Sequence, residues 1–127
     1  MNLIVDTHVL LWAISNTSKL SNKAKRILEN NENQIFVSTA SLWEISIKKS
    51  IGKLEFDFST EELYSILEKT QINVITIQKA HLIELTQLEF RHKDPFDRLI
   101  ISQAIAEKFK LISKDQAFKN YPVQLIW

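Results

Sequence analysis

Two acidic residues each come after a short apolar run. Acids that bind ligands in parallel sheets have the same position, just after a buried strand. Asp6 comes directly after Leu3-Ile4-Val5, and Asp115 comes shortly after Leu111-Ile112. Open parallel sheets bind ligands at the carboxyl ends of their strands, which is where both acids are predicted to lie. The same positions also suit helix N-caps, so each acid taken alone fits either role.

Asp97 belongs to an apolar helix face. Helical spacing places it with Ile100, Ile101 and Ala104. A carboxylate beside such a stripe loses hydration and favours a nearby cation. The simpler alternative is a first-turn acid that interacts with the helix dipole and the capping box. The segment is strongly apolar, which favours a cation-binding site at Asp97 over the simpler capping role.

Glu44 lies between Trp43 and Ile45 on a predicted helix. Lys48 follows four residues later, so a surface ion pair is the simpler explanation of Glu44 when it is considered alone.

These four acids come from separate segments that one fold could bring together. Clustered carboxylates repel one another unless a cation lies among them. Mg²⁺ or Mn²⁺ fits best, because hard ions prefer oxygen ligands and the chain has no cysteine and no His pair of the HExxH type for zinc. We expect the three histidines, His8, His81 and His92, to be surface or packing residues.

The elements that would position these acids alternate along the chain. Short apolar runs, most of them rich in β-branched residues, predict strands at 3–5, 35–37, 74–77, 111–112 and 123–126. Helical spacing predicts helices at 9–14, 21–31, 41–50, 61–69, 79–88 and 95–109. Strands that alternate with helices are typical of an α/β protein with a parallel sheet flanked by helices.

Composition excludes several classes of function. Sixteen Lys and Arg against fifteen Asp and Glu give a net charge of +1, so any nucleic-acid contact must come from local patches. A single glycine argues against glycine-rich phosphate loops, and the lack of cysteine excludes thiol chemistry. We expect one domain over residues 1–127. No stretch approaches the ~20 apolar residues of a membrane span, and the first residues do not resemble an export signal, so we expect a cytoplasmic protein.

Four stretches together resemble the PIN-domain ribonucleases, specifically the VapC-type toxins of bacterial and archaeal toxin–antitoxin pairs. They are LIVDTH at 3–8, VSTASLWEI at 37–45, DPFDRLIISQA at 94–104 and LISKD at 111–115. Their order and spacing extend almost from end to end of the chain. The resemblance implies a doubly wound, three-layer α/β/α sandwich with the acids at the carboxyl end of a central parallel sheet.

The resemblance also implies a site and partners. The acids of the family fall on the four positions already singled out: Asp6, Glu44, Asp97 and Asp115. Thr7 and Ser113 match hydroxyl positions that support the metal site. Asp94 is an additional acid, which we assign first to helix capping and second to support of the metal site. The family implies a homodimer and an antitoxin protein that blocks the site.

The expected mechanism is hydrolysis of RNA by water activated on one or two Mg²⁺ or Mn²⁺ ions, which leaves 5′ phosphate and 3′ hydroxyl ends. Phosphates need basic partners, and two basic runs flank the acids: Lys48-Lys49 with Lys53, and Arg91-His92-Lys93 with Arg98. The RNA contacts that we predict from these runs are Lys48, Lys49, Arg91, Lys93 and Arg98. We assign Trp12 and Trp43 to the core, because tryptophan at helical spacing among leucines is usually buried.

Other classes fit less well or stay open. A phospho-receiver module needs two neighbouring acids after its first strand and an aspartate after its third, whereas Thr7 follows Asp6 and Gln78 follows the predicted third strand. A phosphatase of the haloacid-dehalogenase type needs Asp-x-Asp, and His8 occupies the second position. The alternative of a non-catalytic α/β module that binds RNA stays open. Its binding of RNA would persist after loss of the four acids.

Overall fold

Five parallel strands form the centre of the computed structural model, which describes residues 1–127. Their order across the sheet is β3-β2-β1-β4-β5, so the first strand is central. The bounds are β1 Asn2–Val5, β2 Gln34–Ser38, β3 Asn73–Ile75, β4 Lys110–Ile112 and β5 Leu125–Ile126. All five predicted strands are confirmed, although β3 and β5 are shorter than predicted.

Six α-helices connect the strands, and all six were predicted. They are α1 Thr7–Ser15, α2 Asn22–Glu29, α3 Thr39–Ser50, α4 Thr60–Lys69, α5 Lys79–Gln87 and α6 Pro95–Glu107. Short 3-10 helices lie at Thr17–Lys19 and Gln116–Asn120. The helix α6 ends two residues earlier than predicted, because Lys108 adopts the left-handed conformation with φ of 59°.

Helices cover both faces of the sheet. Along β1, Leu3 and Val5 belong to one hydrophobic cluster, together with residues of α1, α3 and α4. Ile4 points to the other face and packs in a second cluster with Ile100 and Ile101 of α6. Because β1 is central and buried on both faces, its side chains are apolar at successive positions. The predicted three-layer α/β/α sandwich is therefore confirmed.

The carboxyl edge of the sheet collects the ends of three strands. Val5 of β1 is in register with Val37 of β2 and with Ile112 of β4. The helices α1 and α3 begin immediately after β1 and β2, and α6 leads back into the start of β4. The N-termini of these three helices therefore lie at one edge, where parallel sheets bind their ligands.

The helices are short. The longest, α6, has 13 residues, and no helix is both long and apolar enough to cross a membrane.

Candidate active site

Asp6 is buried at the end of β1 and is 5% exposed. Its Oδ1 accepts a hydrogen bond from Val9 N–H at 2.8 Å, which caps α1. Its Oδ2 accepts a hydrogen bond from the Ser113 hydroxyl, which follows the neighbouring strand β4. Burial raises the pKa of Asp6 above its ordinary value, and these two hydrogen bonds oppose the change. Asp6 is therefore the N-cap of α1, one of the two roles that the sequence predicted for it, and it is also buried.

Glu44 reaches the same edge from α3 and is 9% exposed. The Thr7 hydroxyl donates to its Oε1 at 2.7 Å and lies 2.9 Å from Ser41 Oγ. Lys48 Nζ lies 3.2 Å from Oε2, so the ion pair expected from the sequence is present. The pair is not a simple surface feature, however, because the carboxylate is buried between α1 and α3.

Asp97 projects from the first turn of α6 with a side chain that is 20% exposed. Its pKa is raised to about 7, first by burial and then by the negative charges of Asp94, Asp6 and Glu44, while His92 opposes the change. Since these charges act on one another across separate segments, the structure brings Asp6, Glu44 and Asp97 into one electrostatic cluster.

Asp115 completes the group from the segment after β4. Its Oδ1 accepts a hydrogen bond from Ala117 N–H at 2.9 Å and caps the second 3-10 helix. Ser113 links it to Asp6, because Ser113 Oγ accepts from Asp115 N–H at 3.0 Å while donating to Asp6. The charge of Asp115 also contributes to the raised pKa of Asp6. Its side chain is 47% exposed, so the cluster opens to solvent at this residue.

Asp94 is the N-cap of α6, as predicted. Its Oδ1 accepts from Phe96 N–H at 2.8 Å and from Asp97 N–H at 3.2 Å. It acts on the cluster through its charge, which is the second cause of the raised pKa of Asp97.

His92 is the residue that the sequence reasoning missed. Its Nε2 lies 3.2 Å from Asp97 Oδ2 and 3.4 Å from Asp115 Oδ2. One side-chain atom from each of these three residues lies within 4.8 Å of the others. The only sequence signal is that His92 stands two residues before Asp94, the cap of the helix that carries Asp97. The other two histidines are not in this triad: His8 is exposed, although its charge acts on Asp6, and His81 is fully buried against Glu107.

The structure separates the five basic residues predicted to bind RNA. Lys48 and Lys93 line a groove beside Glu44, together with Lys53. Lys49 lines a different pocket, between α3 and the start of α4. Arg91 pairs with Glu89, its Nε 2.6 Å from a carboxylate oxygen.

Arg98 has a structural contact that the sequence did not reveal. Its guanidinium donates to the carbonyl oxygens of Glu89 at 3.0 Å and Leu88 at 3.4 Å, and it lies over the Phe90 ring at 4.7 Å. It therefore ties α6 to the segment that follows α5.

The assignment of Trp43 to the core is wrong. Trp43 is 59% exposed and meets Phe96 edge to face, with ring centroids 5.2 Å apart. Trp12, by contrast, packs against the larger hydrophobic cluster, as predicted. Phe96 lines the groove beside Glu44, so the exposed Trp43 ring lies next to that groove.

A family model described as PIN domain matches residues 3–124. The chain belongs to the PIN domain family. No curated protein matches it at a significant level. This PIN domain does resemble solved structures over nearly its whole length.

Three of these structures are of VapBC proteins. VapBC2 from Rickettsia felis, bound to a DNA fragment from its promoter, is 21% identical with a TM-score of 0.71, and the match covers 99% of this chain and 98% of that one. VapBC-1 from nontypeable Haemophilus influenzae is 18% identical with a TM-score of 0.72, and coverage is 99% and 97%. DNA-bound VapBC from Salmonella typhimurium is 17% identical with a TM-score of 0.71, and coverage is again 99% and 97%. At these identities the likeness concerns the fold.

Proposed function

We propose that this PIN domain is an endoribonuclease that depends on a divalent metal ion. The observation that carries the proposal is the convergence of Asp6, Glu44, Asp97 and Asp115 from four segments at the carboxyl edge of the sheet. Burial, and then the negative charges of Asp94, Asp6 and Glu44, raise the pKa of Asp97 to about 7. Clustered carboxylates repel one another, and a bound cation relieves that repulsion.

The donor set fits Mg²⁺ or Mn²⁺. The four side chains offer carboxylate oxygens, which hard divalent ions prefer, and the chain contains no thiolate. When such an ion is bound, the chemistry it supplies is a water of lowered pKa and neutralisation of charge on the phosphate. Asp6 and Glu44 are fixed by hydroxyl donors from Ser113 and Thr7, so they would present their oxygens in set orientations.

The groove beside Glu44 supports a phosphate substrate. Lys48, Lys53 and Lys93 line it, and ammonium groups neutralise a polynucleotide backbone. Two of these three, Lys48 and Lys93, are among the predicted RNA contacts. We propose that RNA enters the acidic cluster along this groove.

We further propose that the chain is the toxin of a type II toxin–antitoxin pair. The structures titled VapBC, and one titled as a toxin–antitoxin complex from Klebsiella pneumoniae with a TM-score of 0.63, share its fold. By this likeness its partners would be a cognate antitoxin protein and a second copy of the chain in a homodimer. The proposal also includes a single domain over residues 1–127 and a cytoplasmic location.

The test is cleavage of total RNA by the purified protein. We expect fragments with 5′ phosphate and 3′ hydroxyl ends in the presence of Mg²⁺, and no fragments with EDTA. Asp97→Asn should remove cleavage, whereas Asp57→Asn, the same substitution at an exposed position of the α3–α4 connection, should not. Equal cleavage in all conditions, or cyclic phosphate ends, would contradict the metal-dependent reaction. Binding of RNA that is independent of the acids, without any cleavage, would favour the non-catalytic module.

A further inference from the structure

His92 is fixed in one orientation by contacts on both its backbone and its ring. Its own N–H donates to Tyr121 Oη at 2.7 Å. Its ring packs against Phe118, with ring centroids 5.8 Å apart. Asp94 N–H donates to Nδ1 at 3.1 Å. These contacts join the segment before α6 to the segment after β4, and they aim Nε2 at the acidic cluster.

The hydrogen bond at Nδ1 determines where the ring carries its proton. A backbone N–H can only donate, so Nδ1 must accept and has no hydrogen of its own. A neutral imidazole with an unprotonated Nδ1 carries its hydrogen on Nε2. Nε2 is the atom that faces Asp115 Oδ2 at 3.4 Å and Asp97 Oδ2 at 3.2 Å.

A metal-ligating nitrogen needs a lone pair, and metal-bound histidines usually donate through their other ring nitrogen. His92 has the opposite arrangement, because its lone pair is already used at Nδ1 and its hydrogen points into the cluster. The geometric triad of His92, Asp97 and Asp115 is therefore not a set of three ligands in this hydrogen-bonding state.

We propose that His92 is a positioning residue, whose Nε2–H holds Asp115 beside Asp97, and that it is not a ligand of the metal ion. Its effect on the ion would act through the two carboxylates that it orients. This effect rests on the proposed function, whereas the position of the ring hydrogen is a property of the metal-free protein.

The first test is NMR of the protein with ¹⁵N-labelled histidine. We expect His92 to show a protonated Nε2 and an unprotonated Nδ1, and to keep both when saturating Mg²⁺ is added. His81 is an internal reference, because its Nδ1 accepts from Gln78 N–H at 3.0 Å. His8→Asn removes the signal of the exposed ring and assists assignment. A hydrogen on Nδ1 of His92, before or after addition of Mg²⁺, would overturn the proposal.

The second test compares two amides at the same position. In His92→Gln the amide nitrogen can reach the place of Nε2 and keep a donor there, whereas in His92→Asn it reaches only the place of Nδ1. We expect Mn²⁺ affinity, measured by calorimetry, to stay within about threefold of wild type for glutamine and to fall ~10-fold for asparagine. Equal losses for the two amides would contradict a donor role at the place of Nε2.

The two proposals fail in different ways. A wild-type protein that binds no Mn²⁺ and cleaves no RNA would contradict the proposed function, and with it any role of His92 in metal binding. A hydrogen found on Nδ1 in the metal-free protein would contradict only the assignment of His92.

Discussion

Replacing Asp97 with asparagine removes one negative charge from the acidic cluster while keeping the size of the side chain. In the folded protein the pKa of Asp97 is raised from 3.8 to about 7. Folding therefore favours the protonated carboxyl group. The stability that this proton confers is complete below the unfolded pKa and is lost as the pH rises through about 7.

The size of the effect follows from the same shift. A pKa raised from 3.8 to about 7 corresponds to roughly 4 kcal/mol. Because the side chain is partly exposed, solvent screening reduces the expected gain for Asp97→Asn to about 1–2 kcal/mol. In a chain of this length, each 1 kcal/mol corresponds to about 3–5 °C in Tm. We therefore expect the variant to be more stable than wild type at about pH 8, and the difference to vanish near pH 4.

The assay is urea unfolding in EDTA across this pH range. Asp57→Asn, at an exposed position, should follow the wild-type curve. Saturating Mg²⁺ should then reverse the order, because a ligand at 100 times its Kd stabilises the native state by ~2.7 kcal/mol and the variant would bind it more weakly. The reasoning is refuted if Asp97→Asn is the less stable protein in EDTA at about pH 8, or if its curve runs parallel to that of wild type.

Substitutions at three further positions test the hydroxyl contacts and the exposed aromatic ring. Ser113→Ala removes a donor from a buried carboxylate. It should therefore raise the pKa of Asp6 further and lower the free energy of unfolding in urea by about 1–3 kcal/mol. A pKa of Asp6 that carboxyl ¹³C NMR finds unchanged would contradict this expectation. Thr7→Val should cost a similar ~1–3 kcal/mol by leaving Glu44 Oε1 without its donor, and Thr7→Ser should restore most of it. Trp43→Ala should cost less than about 1 kcal/mol in thermal unfolding, since the ring is 59% exposed, whereas a buried tryptophan would cost ~3–5 kcal/mol.

The sheet could be predicted because its strands are short, apolar and separated by helical periods. Once the strands are parallel, an acid that follows β1 and an acid that follows β4 must lie at the same edge. The register of Val5 with Ile112 confirms that placement. Asp97 was predictable for a different reason, namely its spacing from Ile100 and Ile101, both of which are fully buried.

Trp43 shows where helical spacing is insufficient. The helix α3 is apolar on two faces: Leu42 and Ile45 are buried, while Trp43 and Ile47 are exposed. Periodicity identifies a helix with apolar stripes, but it does not say which stripe meets the sheet. That choice depends on the direction in which α3 leaves β2, which the sequence pattern does not contain.

His92 was missed because its position depends on a connection without regular structure. The segment between α5 and α6 has no period from which a side-chain direction could be deduced. Its path is set by long-range contacts, above all the two backbone N–H groups, of Arg91 and His92, that donate to Tyr121 Oη. Tyr121 lies 29 residues after His92 in the sequence.

The four acids differ in how far the protein itself compensates their charge. Asp6 and Asp115 each accept a backbone N–H as helix caps, and Glu44 accepts a hydroxyl and pairs with Lys48. Asp97 instead faces the other carboxylates, with only His92 to oppose them. Burial first, and then the charges of Asp94, Asp6 and Glu44, raise the pKa of Asp97 to about 7, with no hydrogen bond from a backbone N–H or a hydroxyl to oppose them. We therefore expect a bound cation to gain the most interaction energy from Asp97. Asp97→Asn should then lose more of the Mg²⁺-induced stabilisation than Asp115→Asn.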